Sequence, residues 1–143
     1  MPDKTIETSG NCLCGATRVT AKRASNNVGA CHCRMCRKWG GGPLMAFDCG
    51  TDVSIEGEEN ISVFNSSDWA ERGFCKQCGT HLFYRIKEGN QYVLPVGLFD
   101  DDERLKFEDQ IFIDEKPSFY DFANKTNNMT GEEVFAKYMQ PSE

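Results

Sequence analysis

Seven of the eight cysteines in this chain fall into three tight clusters: Cys12-Leu13-Cys14-Gly15, Cys31-His32-Cys33-Arg34-Met35-Cys36 and Cys75-Lys76-Gln77-Cys78-Gly79. This spacing limits the fold more than any other property of the sequence. The two outer pairs offer four thiolates, enough to close one tetrahedral metal site. The middle cluster offers three. A four-ligand zinc site is structural, whereas a three-ligand site leaves a position for water or substrate. The glycines after Cys14 and Cys78 suit the tight turns that aim sulfur inward. For the outer pairs the alternative is redox cysteines or local disulfides. For Cys31, Cys33 and Cys36 it is a second structural site completed by a residue the sequence does not identify, or thiols that bind no metal.

The chain has 143 residues, a length that suits one zinc-binding domain over 1–143 with a core of its own. No apolar run approaches the roughly 18 residues of a membrane span. Met1-Pro2-Asp3-Lys4-Thr5 shows no basic region followed by an apolar segment, so no secretory leader is expected. A cytoplasmic setting follows as the default. In that reducing compartment clustered cysteines more often mean metal or catalysis than disulfides. The formal net charge of −6 disfavours nucleic acid as a partner, since phosphates would repel it. One compact basic stretch, Arg34-Met35-Cys36-Arg37-Lys38, interrupts this acidity. It suits an anionic small molecule, or it offsets thiolate charge.

Short alternating segments dominate the chain. Residues 17–22, 52–56, 61–64, 82–86, 91–94 and 111–113 read as strands, with turns at Gly57-Glu58-Glu59-Asn60 and Glu88-Gly89-Asn90. Thr130-Gly131-Glu132-Glu133 fits a capping box, and Val134, Phe135 and Tyr138 follow at helical spacing. The expectation is a mainly β domain with one short C-terminal helix and a turn of helix after Cys36.

Four residues around the clusters carry two readings each, and a fifth, Cys49, carries one. His32 should point away from a site that takes both of its neighbours, as a supporting or packing histidine. His81 is either a support of the metal region or a partly exposed side chain. Trp39, with Gly40-Gly41-Gly42-Pro43, offers an apolar wall and free amides, or is part of a plain loop. Arg72 can hold a substrate carboxylate in bidentate fashion, or it forms a surface ion pair. Cys49 reads as an ordinary buried cysteine.

Taken together, Gly10-Asn11-Cys12-Leu13-Cys14-Gly15, Cys31 to Lys38, Phe64-Asn65-Ser66-Ser67 and Arg72-Gly73-Phe74-Cys75-Lys76-Gln77-Cys78-Gly79-Thr80 resemble the glutathione-dependent formaldehyde-activating enzyme family. Weaker similarity runs from Val96-Gly97-Leu98-Phe99-Asp100 to Phe122. The resemblance implies a β-tent fold of small curved sheets. It implies two zinc ions, a structural one at Cys12, Cys14, Cys75 and Cys78 and a labile, catalytic one at Cys31, Cys33 and Cys36. It also implies a carbon–sulfur lyase acting on S-hydroxymethylglutathione or a similar thiol–aldehyde adduct, with Arg37, Lys38 or Arg72 receiving the carboxylates of the tripeptide. The chain departs from the family pattern at Gln110-Ile111, where a histidine–isoleucine pair is expected, and at Phe119, where a tryptophan is common. The competing function is a non-enzymatic, zinc-stabilised protein-binding module.

Overall fold

The computed structural model describes residues 5–138; the reading of residues 1–4 lies outside them. In chain order the elements are β1 Thr5–Asn11, β2 Arg18–Ser25, β3 Asn27–Cys31, α1 Arg34–Gly40, β4 Leu44–Gly50, β5 Val53–Glu56 and β6 Ile61–Phe64. They continue with β7 Ala70–Cys75, β8 His81–Ile86, β9 Gln91–Pro95, β10 Lys106–Ile111, β11 Asn127–Met129 and α2 Gly131–Tyr138. The described residues are mainly β, their sheets do not close, and they carry two α-helices. No helix among the described residues is long and apolar enough to cross a membrane.

Two compact units divide the chain. The first takes residues up to 26 together with 46–105; the second takes 27–45 and residues from 106 onward. In the first, β1, β2 and β5 form a three-stranded antiparallel sheet. An antiparallel run in the order β4-β9-β8-β7-β6 accompanies it. The period-2 pattern of β1 and β2 buries Ile6, Thr8 and Gly10 on one strand and Val19 and Ala21 on the other. Ile6, Val19 and Ala21 pack with Phe47, Leu82, Leu94 and Phe99 in one core, where the Phe47 and Phe99 rings meet edge to face at 5.2 Å. Gly10 is required there. A methyl group at its Cα would lie 2.1 Å from the Leu98 carbonyl oxygen, and backbone cannot yield as a side chain can.

In the second unit β10 lies between β3 and β11, parallel to both. The capping box holds α2 as expected. The Thr130 hydroxyl accepts from the Glu133 amide at 3.1 Å, and the Glu133 carboxylate accepts from the Thr130 amide at 2.8 Å. Val134 turns inward, while the side chain of Tyr138 lies outside the described ones.

Strands fall on or within a few residues of the expected segments at β2, β5, β6, β8 and β9. Two expectations need correction. Of residues 111–113 only Ile111 is strand, as the end of β10; Phe112 adopts a left-handed conformation (φ 55°), and a 3-10 turn follows over Ile113–Glu115. The apolar run is explained by packing, since the Phe112 ring lies edge to face with Phe135 at 5.7 Å and fits against Gly131 at the start of α2. The helix of the middle cluster also begins earlier than Cys36. It starts at Arg34, because the Cys33 sulfur accepts from the Cys36 amide and caps the first turn.

Replacing Gly10 by alanine should destabilise the protein by about 1–3 kcal/mol, the usual cost of overpacking a site that cannot relax. Thermal denaturation followed by circular dichroism would register this as a drop of several degrees. An unchanged midpoint would mean that β1 can draw back from Leu98.

Candidate metal centres

In the first unit Cys12 follows β1 directly and Cys75 ends β7. Each opens a small knuckle. The Gly15 amide donates to the Cys12 carbonyl at 3.1 Å, and the Gly79 amide to the Cys75 carbonyl at 2.8 Å, with both glycines left-handed (φ 81°). Thr80 joins the knuckles: its hydroxyl accepts from the Leu13 amide at 3.1 Å and lies 3.1 Å from Cys78 Sγ.

The four sulfurs of Cys12, Cys14, Cys75 and Cys78 lie within 4.8 Å of one another. Cys12–Cys14 and Cys14–Cys75 are each separated by 3.7 Å. A tetrahedral ion about 2.3 Å from each sulfur would set the sulfurs roughly 3.8 Å apart, so this cage fits a zinc-sized ion. Its electrostatics agree. Cys78 is pulled down to about 5 by the Thr80 hydroxyl and amide. Cys14 is pushed up to about 12, its bond from the Ala16 amide outweighed by burial and by the neighbouring sulfurs. Four thiolates this close repel one another, and a cation among them would offset that repulsion.

In the second unit Cys31 ends β3, Cys33 caps α1 and Cys36 is buried within that helix. Their sulfurs also lie within 4.8 Å of one another. Among the described residues no fourth histidine, cysteine or carboxylate ligand lies within that distance. The Cys33 and Cys36 sulfurs push the Cys31 thiol far up. This donor set suits a thiophilic metal with one position left open.

His32 lies between two of these cysteines and turns away from them, as expected. It is 0% exposed, with Nδ1 2.8 Å from the Tyr120 hydroxyl and Nε2 2.8 Å from Gln110 Oε1. Both ring nitrogens are thus engaged, and neither is available to an ion. Burial pushes its imidazole below the usual value, the Gln110 bond works against this, and the Lys116 and Arg37 charges add to the lowering.

The basic stretch is the outer surface of α1. Arg34, Arg37 and Lys38 line an open cleft of about 220 Å³ with Gly41, Gly42, Phe119 and Tyr120. Arg37 is the oriented cation among them: its Nε donates to the His32 carbonyl at 2.9 Å, which leaves both terminal amino groups for a ligand. Trp39 is half-buried on α1 and does not line the cleft. The Gly41 amide is not free either, since it donates to the Arg37 carbonyl at 2.7 Å as the left-handed helix cap.

Arg72 belongs to the first unit and is not a surface residue. It is 3% exposed on β7, with its guanidinium 5.0 Å from the centre of the Tyr84 ring. Burial lowers the pKa of the half-buried His81, and the Arg72 charge adds to this. Cys49 stands apart from both clusters. It is fully buried in β4, its thiol donating to the Phe47 carbonyl and pushed up by burial.

The loop after β10 carries residues that sequence reasoning missed. The Glu115 carboxylate accepts from the Arg34 amide at 2.8 Å. The Lys116 ammonium donates to the Pro117 and Tyr120 carbonyls and pairs with Asp121 at 2.7 Å. These bonds hold Phe119 and Tyr120 at the cleft. The only local signal was the aromatic run from Phe119 to Phe122.

Comparison with known proteins identifies the family. The family model for the glutathione-dependent formaldehyde-activating enzyme matches residues 7–115. A protein of Schizosaccharomyces pombe named as an uncharacterized lyase is 43% identical over 129 residues, covering 90% of this chain and 94% of that protein. A putative glutathione-dependent formaldehyde-activating enzyme of Aspergillus flavus is 34% identical over 87 residues, covering 53% of this chain and 42% of that longer protein. The crystal structure of a Rhodobacter sphaeroides protein shares the fold, with a TM-score of 0.57 at 22% identity over 65% of this chain and 88% of the other. This chain belongs to the glutathione-dependent formaldehyde-activating enzyme family.

Proposed function

We propose that this protein is a zinc-dependent carbon–sulfur lyase acting on glutathione–aldehyde adducts of the S-hydroxymethylglutathione type. The observation that carries the reading is the placement of chemistry on α1. The helix bears Cys36 of the open three-sulfur set, and its Arg37 and Lys38 face an adjoining cationic cleft. A sulfur-binding centre beside an anion-binding cleft is what an anionic thiol substrate requires. Family membership and the names of the relatives point the same way.

In this reading Cys12, Cys14, Cys75 and Cys78 hold a structural zinc, and Cys31, Cys33 and Cys36 hold a second. Zinc in the three-cysteine set supplies an open coordination position and Lewis acidity suited to a soft sulfur ligand. Arg37 receives a carboxylate of the tripeptide through its two free amino groups, and Lys38 adds a point charge. Cleavage breaks the bond between carbon and sulfur, and its electron pair stays on sulfur as a thiolate. The hydroxyl O–H pair closes the carbonyl of the aldehyde, and the proton leaves to solvent. Addition is the reverse.

Metal content and mutants together test the assignment. The purified protein should hold two zinc ions per chain and lose one to a mild chelator, with glutathione protecting that one. Cys33→Ser should keep the fold and one ion while losing adduct cleavage. Cys75→Ser should lose the fold, because structural zinc binding is itself folding energy. If Cys33→Ser unfolds the chain as Cys75→Ser does, both centres are structural and the protein-binding module becomes the better account.

Arg37→Met should raise KM for the adduct about tenfold with little change in kcat, the usual scale for a hydrogen-bonded ion pair that no longer forms. Lys38→Met should do less, since exposed charges contribute little. Equal KM effects on an uncharged thiol–aldehyde adduct would show that Arg37 does not read substrate charge.

A further inference from the structure

The second unit contains a polar chain that the metal chemistry leaves unused. It begins at Tyr120, passes through the buried His32 ring to Gln110 Oε1, and continues from Gln110 Nε2 to the Thr126 hydroxyl at 2.9 Å. Thr126 in turn donates to Asn128 Oδ1 at 2.6 Å. Gln110 is 6% exposed, so the interior of this unit holds two polar side chains that satisfy each other. Complete satisfaction is what makes such a network rigid.

The direction of the chain follows from the donor inventory. With the Gln110 amide nitrogen committed to Thr126, its oxygen faces His32 and can only accept. His32 Nε2 therefore carries the proton, and Nδ1 presents a lone pair. The Tyr120 hydroxyl donates into that lone pair. A phenol has one proton, and here it is spent inward. Burial raises the Tyr120 pKa, so this proton is retained at neutral pH. What remains for the cleft that Tyr120 lines is an oxygen able only to accept.

An acceptor fixed beside Arg37 and Lys38 selects a ligand with an anionic part and a hydroxyl donor. A free thiol such as glutathione has the first, and a thiol–aldehyde adduct has both. We propose that Tyr120 contacts the substrate by accepting a hydrogen bond from the adduct hydroxyl, and that Gln110 is a positioning residue that fixes this polarity through His32. The inference rests on the lyase reading and adds the feature by which the cleft tells the adduct from its parent thiol.

The experiment joins kinetics, binding and nitrogen NMR on the zinc-loaded protein. Tyr120→Phe should lower kcat for S-hydroxymethylglutathione cleavage about tenfold to a hundredfold, the range for losing a polar contact to a reacting oxygen. Its affinity for S-methylglutathione, which has no such hydroxyl, should stay within about twofold of the parent. Nitrogen-15 spectra of the unsubstituted protein should show His32 as the Nε2–H tautomer. Gln110→Met should lose that tautomer preference and lower kcat in the same direction, with zinc content unchanged. An Nδ1–H tautomer in the unsubstituted protein would reverse the chain and overturn the proposal. So would an unchanged kcat in Tyr120→Phe, or an equal loss of S-methylglutathione binding in that variant. If the unsubstituted protein cleaves no adduct, the lyase reading falls and takes this inference with it. If it cleaves the adduct and Tyr120→Phe does so equally well, this inference falls alone.

Discussion

The mutual proximity of sulfur atoms is the constraint around which the first unit is organised. Cys14 and Cys75 stand 61 residues apart in sequence, yet their sulfurs are 3.7 Å apart. Bringing four thiol groups this close is unfavourable once they ionise, unless a cation shares the space. The fold holds that arrangement at the edge of its core: Cys12 is 4% exposed and Cys75 is fully buried in the cluster with Ile6, Val19 and Leu82, whereas Cys14 is exposed and Cys78 half-buried. One knuckle continues from β1 of the three-stranded sheet and the other from β7 of the five-stranded run. The sulfur cage therefore ties both sheets of this unit, and the close approach of Gly10 to Leu98 acts on the same strand.

The sequence was legible where a residue's chemistry acts locally. The knuckles, the capping box at Thr130 and Glu133, and the strand over Ile61–Phe64 depend on residues a few positions apart, so spacing alone reveals them. Strand β7 was harder to see. Its Ala70-Glu71-Arg72-Gly73 segment lacks an apolar alternation, because Arg72 is buried above the Tyr84 ring and Gly73 makes room for the Phe83 ring. The same long-range packing misled the reading of residues 111–113, where only Ile111 is strand and Phe112 marks a helix contact.

Candidate site residues divide along the same line. The seven clustered cysteines were found by spacing, and the orientation of His32 followed from its position between two inward-facing neighbours. The cleft was not legible, since Tyr120 lies 88 residues from the histidine it bonds. Arg72 is the case where burial overturns the surface ion-pair reading. Its closeness in sequence to Cys75 suggested a role at a site, whereas burial in β7 gives it a structural setting. Cation type alone does not reveal which guanidinium faces solvent.

The two positions at which the chain departs from the family pattern fall in one place. Gln110 bonds His32, which bonds Tyr120, and Phe119 lies edge to face with Tyr120 at 5.3 Å while remaining 82% exposed. Neither residue touches the arrangement of sulfurs. A histidine at position 110 would place a ring where the amide now bridges His32 and Thr126, and a tryptophan at 119 would extend further across the cleft than phenylalanine does. Phe119 lines the cleft directly and Gln110 bears on it through His32 and Tyr120, while the capping of α1 by Cys33 involves neither residue. In the proposed reading, metal binding falls to the three cysteines and substrate contact to Arg37 and Tyr120, two sets of residues that meet at α1.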